Sequence, residues 1–235
     1  MKPSPTLYLI PTFLSEESMD VLPAQHLEIV KQLDEFIVEN PKTARQFLKR
    51  VGTVKPLQEL IMHSLNEHTP ESEVQELLKP LKAGKSIGLL SEAGCPAVAD
   101  PGSEVVRLAH EANIKVQPLI GPSSILLALM ASGLNGQSFV FHGYLPRETA
   151  VRKRKIKELE KEAIRKKQTQ IFIETPYRNQ ALIQDVLATC EDDTLFCIAS
   201  LLTSPREKII TRTIANWKKR VPELGKIPAI FLIGN

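Results

Sequence analysis

Residues 85–145 run strand, turn, helix, strand, turn, helix, and each turn is built on glycine and proline after a short apolar run. The run 86–90 breaks at Ser91-Glu92-Ala93-Gly94-Cys95-Pro96. Asp100-Pro101-Gly102-Ser103 then opens an amphipathic helix with Val105, Val106, Leu108 and Ala109 on its apolar side. A capping residue followed by proline in the first turn is a helix-start signal. A second run, 114–119, ends at Gly121-Pro122-Ser123-Ser124, which opens another apolar helix. Two strand-helix units in succession specify a parallel α/β sheet. In such sheets a ligand sits beyond the carboxyl ends of the strands, where both turns lie.

The rest of the chain sets the scale. Its 235 residues suffice for one large or two ordinary domains with a real core. A hydrophobic fraction of 43% with 24% charged residues fits a globular protein, and a net charge of +3 is too small to argue for nucleic acid by itself. Cys95, Cys190 and Cys197 have neither metal-ligand spacing nor a disulfide framework, which points to a reduced, cytoplasmic setting without a metal. The run 7–14 is interrupted by Pro11 and followed by Ser15-Glu16-Glu17, unlike a signal peptide, and no stretch reaches membrane-spanning length.

The pattern predicts strands at 7–10, 35–38 and 86–90 and helices at 24–33 and 41–51, the last capped by Asn40. Residues 57–62 read as strand or helix, and a helix over 71–81 should end or kink at Pro80. Leu134-Asn135-Gly136-Gln137 is turn chemistry and divides the chain into domains 1–135 and 136–235. The second domain reads as strand 138–143, charged helix 148–166, strand 169–174 and helix 176–189. Strands at 195–199, 208–214 and 228–233 follow. Thr211 and Thr213 alternate with Ile210, Arg212 and Ile214, as in an antiparallel strand with one wet face. The class is α/β, with a parallel sheet first and a mixed sheet second.

Two polar features could carry chemistry. Residues 147–167 hold ten lysines and arginines against four glutamates. The patch would contact RNA phosphates, with Arg152 and Arg154 foremost, or form a solvated face with internal pairs such as Glu162 with Lys166. Glu174-Thr175-Pro176-Tyr177-Arg178 ends a strand: Glu174 could accept a proton and Arg178 hold a phosphate, or the two could form a plain turn and ion pair. The five histidines assemble no triad, and Asp100 reads as a turn former.

SEAGCPAVADPG, PLIGPSS, ALMASGL and FHGYLP, in this order, resemble successive motifs of the tetrapyrrole methylase superfamily of S-adenosylmethionine (SAM) dependent methyltransferases. Within it the chain is most similar to the RsmI-like branch, which methylates a ribose 2′-hydroxyl of a cytidine in bacterial small-subunit ribosomal RNA. The resemblance spans 7–235. It implies a two-lobed homodimeric enzyme with SAM in the cleft between lobes. Cofactor contacts would come from Leu14, Ala93, Gly94, Cys95, Val98, Ser123 and Ser124, and catalytic groups from Glu174 and His63. Arg152, Arg154 and Arg178 would bind substrate.

The sequence also departs from that branch. Pro11-Thr12-Phe13-Leu14-Ser15-Glu16 stands where relatives have PTPIGN, losing the glycine and adding acids at Glu16 and Glu17. Val38-Glu39-Asn40-Pro41-Lys42 replaces AEDTR, Leu201-Leu202-Thr203-Ser204 replaces RELTK, and Cys95 replaces a residue that is often Asp or Thr. The sequence ends at Asn235, short of the C-terminal extension often seen in that branch. A different methyl acceptor, or a SAM-binding module without catalysis, are the alternatives these departures raise.

Overall fold

The computed structural model describes residues 4–18, 20–66 and 68–235. The chain forms two compact units, Met1–Ser123 and Ser124–Asn235. The first alternates β1 (Thr6–Ile10), α1 (Ala24–Lys31), β2 (Glu35–Val38), α2 (Pro41–Val51) and β3 (Ile61–Ser64). It continues with α3 (Glu71–Glu76), α4 (Lys79–Lys82), β4 (Ile87–Leu90), α5 (Gly102–Glu111) and β5 (Lys115–Pro118). The five strands are all parallel, in the order β3-β2-β4-β1-β5.

Strands β2 and β4 are buried along their whole length, as strands covered on both faces must be. On one face Leu7, Ile37, Ile87 and Leu89 pack with Val74, Leu81, Val105 and Ala109 of the α3–α5 layer. On the other, Ile10, Phe36, Val38 and Leu90 pack with Val30 of α1 and Phe47 and Leu48 of α2. The connection from β1 to β2 skips β4 in one direction, and that from β4 to β5 skips β1 in the other. The strand order therefore reverses between β1 and β4, which makes their carboxyl ends the ligand-binding position of an open α/β sheet.

The second unit holds α6 (Ser124–Ser132), β6 (Phe139–Tyr144), α7 (Thr149–Lys166), β7 (Thr169–Ile173) and α8 (Asn179–Thr189). β8 (Leu195–Ser200), β9 (Lys208–Thr213), α9 (Ile214–Lys219) and β10 (Ala229–Gly234) complete it. Its sheet runs β6-β7-β10-β8-β9, with β6 parallel to β7 and the other pairs antiparallel. Phe172, Phe231 and Phe196, all fully buried, line up across β7, β10 and β8 with ring centroids 6.0 and 6.1 Å apart.

The expected α/β class and the two sheet types are present, as are most element bounds. The differences have local causes. The units divide at Ser123 and Ser124, not after Asn135, because α6 packs on the second sheet. There the Thr211 hydroxyl donates to the Ser132 carbonyl at 2.6 Å. Pro80 falls in the first turn of α4, where a missing N–H costs nothing, so it begins a helix after α3 has ended. The strand expected over 208–214 stops at Thr213, whose side chain accepts from the Asn216 N–H and caps α9. Along β9 the threonines face inward, while Lys208, Ile210 and Arg212 form the exposed face.

Candidate active site

Three loops converge at the carboxyl ends of β1, β4 and β5. An isolated antiparallel bridge joins the first two: Thr12 N–H donates to the Gly94 carbonyl at 2.9 Å, and Gly94 N–H donates back at 3.3 Å. The Thr12 hydroxyl donates to the Ser91 carbonyl (3.2 Å), and the Ser91 hydroxyl to the Gly94 carbonyl (2.6 Å). The third loop is held by shape. A Cβ at Gly121 would lie 2.3 Å from Pro11 Cβ, and one at Gly94 would lie 3.2 Å from Leu14 Cδ2 and 3.4 Å from the Pro122 carbonyl oxygen. The Cys95 thiol points at that same carbonyl, at 3.5 Å. Gly94, Ala97 and Ala99 all have positive φ (78°, 63° and 61°), so residues 94–99 form a tightly wound turn. Asp100 braces it: one carboxylate oxygen accepts from the N–H groups of Ala97 and Gly102, each at 2.8 Å.

Beside these loops lies a pocket of about 220 Å³ lined by Thr12, Phe13, Leu14, Gln46, Arg50 and Glu92, among others. The loop after β1 is fastened to α2. Phe13 meets Phe47 at 5.2 Å between centroids, and Arg50 donates to the Glu16 carbonyl (2.7 Å) and carboxylate (3.2 Å). The negative charge that Glu16 brings is therefore offset by Arg50. Glu39, just past β2, has its pKa raised by burial and then by the charges of Asp100 and Glu92. Asp100 is raised by burial against the opposing pull of its two N–H donors. Burial also pushes the Cys95 thiol up, so it stays protonated at neutral pH and is no nucleophile.

Comparison with known proteins decides the family: the model of the tetrapyrrole (corrin/porphyrin) methylases matches residues 18–217. The chain belongs to the tetrapyrrole methylase family. It is thereby a SAM-dependent methyltransferase. Curated relatives include the "Ribosomal RNA small subunit methyltransferase I" of Haemophilus influenzae, 30% identical over 97% of this chain and 77% of the relative. Proteins of the same name from Vibrio cholerae (32% identical, 88% and 68% covered) and Thermotoga maritima (30%, 87% and 89%) also match. Among solved structures, the methyltransferase CobJ superposes with a TM-score of 0.63 at 17% identity, covering 98% of this chain and 93% of CobJ. The cobalt precorrin-4 methyltransferase CbiF gives 0.62 at 17%, with 97% and 94% covered. Those two likenesses establish the fold.

Within this methylase, Leu14, Ala93, Gly94 and Cys95 lie together at the strand reversal, with Val98 exposed on the same turn. Ser123 ends the first unit and Ser124 opens α6 of the second. Most of the other expected residues have partners of their own. His63 bonds Glu35 at 2.8 Å, which draws its ring toward the amino end of β2, away from the loops. Glu174 is buried; one carboxylate oxygen accepts from Thr175 N–H (2.7 Å), its hydroxyl (3.3 Å) and Arg178 (2.5 Å). Arg178 therefore carries its own counter-charge.

Arg152 needs the clearest correction. It is 4% exposed, bonds Asp185 at 2.7 Å and donates to the Arg147 carbonyl at 2.8 Å, so it is a structural cation and no RNA contact. Arg154 stays exposed on α7, with no ion pair among the described residues. Sequence reasoning missed Glu39 as a site residue, although its place just past β2 marks it as a strand-end group. Gln46 and Arg50 were missed because nothing local ties α2 to the loop after β1.

Proposed function

We propose that this methylase transfers a methyl group from SAM to RNA of the small ribosomal subunit, at a ribose hydroxyl. The observation that carries the reading is the agreement of relatives from three distant bacteria, each 30% identical or more over most of both chains. The loops at the strand reversal fit SAM. Ala93, Gly94 and Cys95 are small enough for close backbone approach, and the serine hydroxyls at 123 and 124 suit a polar tail or ribose. When bound, SAM supplies a methyl group on a sulfonium cation, open to in-line attack. The chain's own task is then alignment, a proximity effect worth several kcal/mol.

A ribose hydroxyl also needs a proton acceptor. Glu174 is tied to Arg178 through one carboxylate oxygen, with no hydrogen-bond partner on the other among the described residues, and His63 is bonded to Glu35. Glu39 supports the role better: it stands at a carboxyl strand end, and its raised pKa makes it a stronger base than an ordinary glutamate. Calorimetric titration with SAM, paired with a transfer assay, tests both assignments. Ser123→Tyr should abolish SAM binding in a folded protein. Glu39→Gln should leave SAM affinity within about twofold and cut transfer by about 100-fold or more. Unchanged SAM affinity in Ser123→Tyr would move the cofactor site elsewhere, and unchanged transfer in Glu39→Gln would remove Glu39 as the base.

A further inference from the structure

The second unit contains an open groove of about 490 Å³ between β9 and the segment after α9. Strand β9 is the edge of its sheet, and Lys208 and Arg212 project from its exposed face on either side of Ile210. Arg220 faces them from the far wall, and Glu223 is the only acid among the lining residues. The groove is built rather than incidental. Trp217 is buried and donates its indole N–H to the Phe196 carbonyl at 2.8 Å, and the Arg212 guanidinium lies over that ring, 5.1 Å from its centroid. The far wall is fixed because Gln180 donates to the Pro222 carbonyl (3.2 Å) and accepts from Leu224 N–H (3.3 Å).

Charge balance separates this groove from the basic helix. On α7, Arg152 and Lys153 pair with Asp185, Lys155 with Glu158, Lys157 with Glu160 and Glu191, and Arg165 and Lys166 with Glu162. Among the described residues, Lys208, Arg212 and Arg220 form no ion pair. Three unneutralised cations on the fixed walls of one groove fit a run of phosphates better than Arg154, Lys161 and the C-cap Lys167, which the helix leaves unpaired among six paired cations. We propose that the β9 groove, rather than α7, is the RNA-backbone contact of this enzyme. Arg212 is the oriented donor, and Lys208 and Arg220 contact flanking phosphates. This rests on the RNA reading above.

The test uses the full chain and small-subunit ribosomal RNA transcribed in vitro, with affinity followed by fluorescence anisotropy across a KCl series. Replacing Lys208, Arg212 and Arg220 with Gln should lower affinity at least tenfold at ~0.1 M salt. It should also reduce the slope of log affinity against log salt by about 2 to 3, the loss of three phosphate contacts. Arg154→Gln and Lys161→Gln on α7, with Lys167→Gln at its C-cap, should together change that slope by less than about 1. Because Arg212 also rests on Trp217, the Lys208→Gln/Arg220→Gln double variant isolates charge from packing, and it should lose about 1.5 of slope. SAM affinity should be unchanged in all three. An unchanged slope in the groove variants, with the α7 set carrying the loss, overturns the groove and leaves the RNA reading standing. No RNA binding by the wild type, with SAM bound, ends both. Displacement of RNA by polyglutamate at equal charge concentration would instead make the groove a surface for acidic protein.

Discussion

Asp185→Ala should destabilise the second unit by about 3–5 kcal/mol, the largest effect we expect from a single change outside the apolar core. Its carboxylate meets Arg152 within a site where the two side chains are 9% and 5% exposed, with Lys153 3.6 Å from the other oxygen. Removing it leaves a guanidinium buried without a counter-charge, and that uncompensated cation dominates the cost. Arg152 also donates to the Arg147 carbonyl, so the chain between β6 and α7 loosens with it. Differential scanning calorimetry should show the unfolding transition lowered by about 10 °C or more. The Arg152→Met/Asp185→Leu pair should recover most of the loss, since a matched apolar pair carries no desolvation penalty. A single Asp185→Ala variant that melts within a degree of the parent would mean that the pair is solvated.

Gly121→Ala should do the greatest damage to cofactor binding for the least change in chemistry. Its φ is not in the left-handed region, so alanine meets no backbone strain; the whole effect is contact. The new methyl would sit 2.3 and 2.7 Å from Cβ and Cγ of Pro11, atoms of a ring that cannot rotate aside. The loops after β1 and β5 must part. Because Thr12, next to Pro11, is bridged to Gly94, the shift passes into the 94–99 turn, where we propose that SAM binds. We expect about 1–3 kcal/mol of overpacking cost and at least a tenfold loss of SAM affinity by calorimetry. Gly136→Ala, at a site with open space around it, should change neither. Equal SAM affinity in Gly121→Ala would show that the three loops do not act as one site.

The sequence disclosed elements whose signals are local. Helix α2 was legible from end to end because Asn40 and Pro41 open it and Gly52, at φ 78°, closes it. The two turns at 91–102 and 121–124 were legible because glycine and proline at strand ends have few other uses. What stayed hidden depends on partners distant in the chain. In the run Arg152-Lys153-Arg154-Lys155 nothing distinguishes the cation that turns inward to Asp185, 33 residues on. His63 looked available because Glu35 lies 28 residues earlier. Helix α6 is apolar on nearly every side, so no stripe in Ser124–Ser132 reveals which sheet it will join. Lys208 and Arg212 stand singly and Arg220 ends the run Lys218-Lys219-Arg220, so only the edge strand and the fixed 222–224 wall bring the three into one groove.

Transfer of tritium from methyl-labelled SAM to small-subunit ribosomal RNA by the unaltered protein, followed by nuclease digestion and nucleoside chromatography, is the most direct examination of the proposed activity. The expected result is label in RNA, recovered in a single 2′-O-methylated nucleoside and reduced at least tenfold with Gly121→Ala at limiting SAM. SAM bound tightly with no label in RNA, or label only on a base, would contradict it and point to a different methyl acceptor.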